Sequence, residues 1–518
     1  MRILVLALLG LLLTATVAGA RTIVGTVGND RLVGTPRADT LSGRAGNDSI
    51  SGARGADLLI GGPGRDSIDA GLGNDLVSIE YDGARDAARC GPGTDVVNAD
   101  LLDTVAGDCE LVGRRLSRDP YTNQDSQHET EVEPDSFTYG PTTVATFQVG
   151  RRFGGAATNI GYAVTKDDGR TWTRGLLPGL TTASVPAGPH SNASDPVVAH
   201  DAKNGVWLIS TLALDARTTR LAINRSTDGG GHWDSALVAA EEVVSQGIAF
   251  DKNWIACDNS PTSPFFGRCY LAYTHSSDGD MLVVTYSGDG GVTWSPPVDV
   301  GVQPAVGVFP VIRPSGELVL VYLWESRPFA IASSRSTDGG ATFAPPVRIG
   351  DVRASSCGIR DFRAFSLPSA DVDSNGRIWA TWHDCAQPRA NEVFVATSDD
   401  GTAWAPAVSA VTGRNAVLPA IGIDPASGRV ALAYFRGGPS GIDAELVTSA
   451  GSPARWTVPM RLSARTMPLA WMPDTTSGRM LGDYISVHYA GGRPLVVWVL
   501  ASPPVGSSLR QAIYATRG

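Results

Sequence analysis

Six aspartates recur at an interval of nine residues: Asp30, Asp39, Asp48, Asp57, Asp66 and Asp75. Two residues beyond each stands an aliphatic: Leu32, Leu41, Ile50, Leu59, Ile68 and Val77. Carboxylates at a fixed interval, with only oxygen donors around them, suit a hard cation. Ca²⁺ takes about six to eight oxygens, and Mg²⁺ demands a stricter octahedron. Glycines before each aspartate allow the tight positive-φ turn from which a carboxylate projects beside backbone carbonyls. The aliphatic then points inward from a very short strand, and stacked turns align the carboxylates in a row. A flexible Gly/Asp-rich linker has a similar composition, but six units without a slip argue for a repeat.

The units read GTVGNDRLV, GTPRADTLS, GRAGNDSIS, GARGADLLI, GGPGRDSID and AGLGNDLVS. They resemble the RTX, or hemolysin-type, repeat GGxGxDxUx. The resemblance covers residues 25–78 and implies a parallel β-roll with calcium as cofactor, held at the six aspartates. The second unit has Arg37-Ala38 where Gly-Asn is usual, which implies a weak or empty site. Without Ca²⁺ the aspartates repel across a thin core, so folding is expected to couple to binding. From Cys90 to Glu110, Asp95, Asp100, Asp103 and Asp108 continue the acidic face out of register. This segment is similar to the terminal cap of some bacterial arrays, closed by Cys90–Cys109, which protects the last strand edge.

A second repeat begins further on. The octapeptides TKDDGRTW, STDGGGHW, SGDGGVTW, STDGGATF and TSDDGTAW place Asp167, Asp228, Asp289, Asp338 and Asp399 some 50 to 60 residues apart. That spacing fits one four-stranded blade each. The aspartate bonds backbone amides across the turn, and the aromatic folds back onto the blade. These octapeptides resemble the Asp box, or BNR repeat, of sialidases and related propellers. Seven pairs of recurring strands, from HETEVEPDSF to GDYISVHY, predict a seven-bladed propeller, with six blades, the sialidase number, as the alternative. A sixth box, SAGSPARW, is degenerate.

By fold analogy a propeller's ligand site lies where the inner strands begin. The polar residues there are Glu129, Asp195, Asp251, Lys252, Gln303, Arg363, Asp483 and Tyr484, and each also reads as a turn cap or structural ion pair. The sialidase resemblance implies an arginine cluster that grips a substrate carboxylate. It also implies a tyrosine nucleophile and a separate acid/base carboxylate. No F/Y-R-I-P motif precedes the first box. Arg313 in VIRP, Arg363 in FRAF, and Asp483 with Tyr484 in GDY are the nearest counterparts. No HExxH helix, P-loop or dinucleotide fingerprint is present, and the seven histidines show no metal-ligand spacing.

The elements that hold these residues are therefore all β, in two domains. With 42 basic against 52 acidic residues the chain lacks the basic face of a nucleic-acid binder. Arg2, an apolar run over residues 3–13 and Ala18-Gly19-Ala20 form a Sec-type signal peptide, cleaved after Ala20. The run is too short to span a bilayer, which takes about 20 residues. The six cysteines, Cys90, Cys109, Cys257, Cys269, Cys357 and Cys385, pair as sequence neighbours in an exported chain or remain free buried thiols. The expected domains are a signal at 1–20, a β-roll with cap at 21–111, a linker at 112–127 and a propeller at 128–518. The expected function is a secreted, monomeric calcium-binding protein whose propeller binds an extracellular glycan or protein. A sialidase-like exo-glycoside hydrolase acting on terminal acidic sugars is the alternative.

Overall fold

A computed structural model describes residues 20–243, 247–353, 357, 359–387 and 390–518. The predicted signal segment, up to residue 19, lies outside the described residues. The chain divides into two compact units: Met1–Asp95 with Leu102–Cys109, and Val96–Leu101 with Glu110–Gly518.

The first unit follows from the nine-residue period. Strands Thr22–Val24, Thr40–Ser42, Leu58–Ile60 and Leu76–Ile79 pair in parallel in one sheet. Arg31–Val33, Ser49–Ser51, Ser67–Asp69, Ala87–Arg89 and Thr104–Val105 form the other. Successive repeats thus alternate between sheets. Strand side chains alternate between faces, so a three-residue strand turns only its central side chain inward. One aliphatic per repeat suffices, and all six are buried. Ala88 carries the pattern one turn beyond the repeats. Close stacking needs glycine: a Cβ at Gly64, where φ is 134°, would stand 2.0 Å from the carbonyl oxygen of Gly46. Cys90–Cys109 closes this unit as expected.

Among the described residues the second unit is a succession of seven four-stranded antiparallel groups, the first two joined into one sheet by the Ala157–Ala193 pairing. The first strands of groups one to seven are Val132–Tyr139, Asn192–Asp201, Phe250–Cys257, Ala305–Ile312, Ser369–Val372, Ala416–Ile423 and Ser486–Ala490. Each packs on the next, and the seventh packs on the first, so the groups close a ring. The seventh group contributes only three strands from the C-terminus. Leu111–Arg115 completes it, running antiparallel to Ser508–Arg517. Residues 112–115, expected as linker, are therefore a strand. The pairing covers an edge that would otherwise stay open.

Large side chains fill the ring. Trp379, Trp382, Trp498, Tyr270, Tyr322 and Tyr434 are fully buried. Cys257–Cys269 bridges directly paired positions of group three, and Cys357–Cys385 forms as well. Among the described residues no helix is long and apolar enough to cross a membrane.

Candidate functional site

Two sets of polar residues stand out, one in each unit. In the first, each turn's aspartate is tied to a turn two repeats away. Asp48 Oδ1 accepts the Asp30 amide at 2.7 Å, Asp57 that of Asp39 at 2.7 Å, and Asp66 that of Asp48 at 2.8 Å. Asp75 accepts that of Asp57 at 2.8 Å. The second oxygen separates the six predicted ligands into two groups. In Asp30 and Asp39 it accepts the amides of Thr26 (2.6 Å) and Thr35 (2.5 Å). In Asp48, Asp57, Asp66 and Asp75 it is buried with no hydrogen-bond partner.

Buried oxygens left in this way resist ionisation. Burial first, and then the charge of neighbouring aspartates, pushes Asp57 and Asp66 up to about 6 and Asp75 up to about 7. A bound cation relieves both costs, so the ladder fits the repeats' calcium chemistry. Among the described residues no three His, Cys, Asp or Glu side chains converge as a metal cage.

The ladder also runs past the repeats. Asp86 Oδ1 accepts the Asp66 amide (2.7 Å), and Asp95 Oδ1 that of Asp75 (2.8 Å), each across 20 residues. Asp95, expected out of register, is in register in space because two residues are inserted before it. Asp86 escaped the sequence reading for the same reason.

In the ring, the first strands carry bulges. Register shifts fall between Val132 and Asp135, Ser194 and Val197, Asp251 and Trp254, Val306 and Phe309, and Val417 and Ala420. The residue entering each bulge has positive φ: Glu133, Asp195, Lys252, Gly307 and Leu418. A bulge leaves a residue unpaired and re-aims side chains near it, and charged residues of different groups meet as a result.

Lys252 Nζ lies 2.6 Å from Asp483 Oδ2 and 3.5 Å from Asp195 Oδ2. Arg363 grips Asp483 in two places, Nε to Oδ1 at 2.7 Å and Nη2 to Oδ2 at 2.5 Å. Gln148 donates to both Glu133 and Ser194 Oγ, and Ser194 donates to Asp195 Oδ1 at 2.8 Å.

The electrostatics follow from this pairing. Burial opposes the charge on Asp483, but Lys252 and Arg363 outweigh it and hold the carboxyl well below its ordinary range. Burial pushes Glu133 far up. Burial, and then the charges of Glu133, Asp195, Asp135 and Asp483, push the Tyr484 phenol up as well. Its hydroxyl donates to the Pro196 carbonyl at 3.3 Å.

Of the predicted catalytic set, Arg363 and Asp483 are in direct contact, with Tyr484 adjacent in sequence to Asp483. Arg313 is not with them. It follows the end of its strand and bonds Gly376 O (2.9 Å), Asp399 O (2.6 Å) and the Glu317 carboxylate. Glu129 instead pairs with Arg115 at 3.1 Å, and Gln303 is exposed. Asp251 accepts its neighbour Lys252's amide at 2.9 Å. Glu133, Gln148 and Ser194 were missed by sequence reading. The available signal was a proline directly after the bulge residue, in Glu133-Pro134, Asp195-Pro196 and Leu418-Pro419.

In four Asp boxes the aspartate bonds across its own turn. Asp289 Oδ1 accepts the Val292 (3.1 Å) and Thr293 (2.9 Å) amides, and Oδ2 accepts the Thr293 hydroxyl at 2.6 Å. Asp167, Asp228 and Asp338 bond alike. In the fifth box the carboxylate that does this belongs to Asp400, which accepts the Thr402 and Ala403 amides at 2.8 Å. Asp399 points outward to Arg377 at 2.7 Å. The bonded turn there is one residue shorter, which moves the role along the chain.

The ring also encloses a cavity of about 490 Å³, lined by Trp254, Phe309, Asp135, Asp371 and His488 among others. Asp135 and Asp371 each accept an amide of the following group, Val198 at 2.9 Å and Ile423 at 2.8 Å.

Two stretches of the chain match known repeat modules. Residues 136–358 match a BNR repeat-like domain, and residues 24–59 and 45–77 match the RTX calcium-binding nonapeptide repeat. No curated protein matches the chain. Similar solved structures include the leech intramolecular trans-sialidase, at 14% identity over 68% of this chain and 70% of that one, with a TM-score of 0.41. The intramolecular trans-sialidase of Ruminococcus gnavus is 13% identical over 67% and 97%, TM-score 0.43. The GH93 α-L-arabinofuranosidase of Fusarium graminearum is 12% identical over 78% and 96%, TM-score 0.42. Identities this low transfer no activity to this chain.

Proposed function

We propose that this is an extracellular calcium-binding protein whose ring of seven groups is a seven-bladed propeller acting as a non-catalytic binding module for a glycan or protein. The carrying observation is the ladder of Asp48, Asp57, Asp66 and Asp75, each with one oxygen bonded and the other buried and unpartnered. These residues would hold Ca²⁺ together with backbone carbonyls, and the bound ion would supply the positive charge that lets the first unit fold. Three disulfides and RTX-type repeats fit an oxidising, extracellular setting.

The state of the ionic cluster favours binding over hydrolysis. Arg363 is committed to Asp483 by two bonds and is not free to grip a substrate carboxylate. The surroundings of Tyr484 raise its phenol, the reverse of what activates a nucleophile. The cavity suits a small ligand, being within the usual range of about 300–1,000 Å³. Trp254 and Phe309, with ring centroids 4.4 Å apart, offer an apolar face for a sugar ring.

The test is twofold. Calorimetric titration of the full chain with calcium is expected to show several sites. A fluorogenic α-sialoside in millimolar calcium is expected to remain uncleaved. Turnover that Arg363→Ala abolishes would replace the binding module with the hydrolase.

A further inference from the structure

The nonapeptide repeats end at residue 78, but the chain immediately afterwards makes a turn of different chemistry. In the plain repeats the glycine two residues before the aspartate donates its amide to a backbone carbonyl: Gly46 to Pro63 (3.0 Å), Gly55 to Leu72 (2.8 Å) and Gly73 to Pro92 (3.1 Å). Gly28 donates to the Thr26 hydroxyl at 3.1 Å, and Gly64 differs from all of these. Its amide goes to the carboxylate of Asp82, at 2.9 Å. Two residues on, the Asp66 amide goes to the carboxylate of Asp86, at 2.7 Å. Asp82 and Asp86 of the inserted turn therefore both sit over the same short segment, Gly64–Asp66. A full negative charge replaces a neutral carbonyl.

Two oxygens there have no partner. Asp66 and Asp86 are each 2% exposed, and the Oδ2 of each is buried without a hydrogen bond. Asp82 stands beside them, its carboxylate on the Gly64 amide two residues before Asp66. The nearby arginine Arg89 pairs instead with Asp69, at 2.5 Å.

We propose that the inserted turn Glu80–Asp86 forms a calcium site of its own, the strongest of the array, with Asp66 and Asp86 as ligands and Asp82 supplying the third negative charge. Backbone carbonyls complete the shell. The site rests on the calcium reading above: it shares Asp66 with that ladder and adds Asp82 and Asp86 from beyond the repeats. It identifies the insertion as a reinforcement of the ladder. The first cation to bind would fix the turn where the period breaks.

Terbium luminescence tests this in the full-length chain, because Tyr81 is the only aromatic residue between 21 and 109. Tb³⁺ beside Asp82 is sensitised by the adjacent phenol. The expected result is sensitised emission at the first equivalent of Tb³⁺, lost in Tyr81→Phe and kept in Asp48→Asn. Calcium should displace this signal last among the sites. Asp82→Asn should weaken Tb³⁺ at this site by about tenfold or more, from loss of one charge beside the ion. Asp86→Asn should lower the calorimetric calcium stoichiometry by one.

If calcium binds by calorimetry but emission does not depend on Tyr81, or Asp82→Asn changes neither affinity nor stoichiometry, the proposal is wrong and the repeats alone carry calcium. If the unmodified chain binds no calcium at all, the reading beneath it fails too.

Discussion

Asp57, Asp66, Asp75 and Asp86 each hold a proton more tightly in the folded chain than a free carboxyl at 3.8 does, with values of about 6, 6, 7 and 8. Their folded values are raised, so the stability they give the metal-free unit is complete below about 3.8 and is lost as pH rises through 6 to 8. Metal-stripped protein is therefore expected to keep its first unit at pH 5 and lose it at pH 8. Saturating calcium removes that dependence, and circular dichroism across pH reads both. The Asp boxes have the opposite sign. Burial raises Asp289, but bonds from Thr293, Ser287 and Val292 outweigh it and hold the carboxyl at about 2. Their contribution is present above the ordinary carboxyl value and is lost as pH falls toward 2. Removing those bonds in Asp289→Ala should cost about 1–2 kcal/mol. Asp400→Ala should lower the melting temperature in the same way, whereas Asp399→Ala should leave it unchanged. Equal effects of the last two would contradict the shortened fifth turn. In the ionic cluster, Asp483→Asn strips the shared carboxylate from Lys252 and Arg363 and should cost about 3–5 kcal/mol, measured by denaturant unfolding.

At the level of elements, legibility depended on whether a side-chain demand recurred at a fixed interval. The β-roll could be read because each three-residue strand buries one aliphatic and each turn holds one aspartate. The reading stopped at residue 78 because the insertion changed an 18-residue offset to 20, although the hydrogen-bond ladder continued through Asp86 and Asp95. The boxes were legible as turns, and Asp399 was misplaced because two adjacent aspartates compete for one role. The cluster was half legible. Arg363, Asp483, Asp195 and Lys252 stood at strand entries, but Glu133 and Gln148 depend on bulges that no glycine marks. The strand Leu111–Arg115 was hidden in a polar stretch because its partner, Ser508–Arg517, lies some 400 residues away. A chain with Gly113→Pro should lose a backbone donor within this strand. Its melting temperature should fall while calcium binding is retained. An unchanged melting temperature would mean that the closing strand contributes little.

For the whole molecule, a first unit proposed to need calcium adjoins in sequence a ring that holds buried aromatics, disulfides and an internal ionic cluster. The proposal assigns the cation to the first unit alone. Hydrogen–deuterium exchange of the full chain, with calcium and after chelation at pH 8, tests this most directly. The account predicts that chelation strips protection from residues 22–105 while the seven groups between 132 and 517 keep theirs. Protection of residues 22–105 that is the same in both conditions would contradict it.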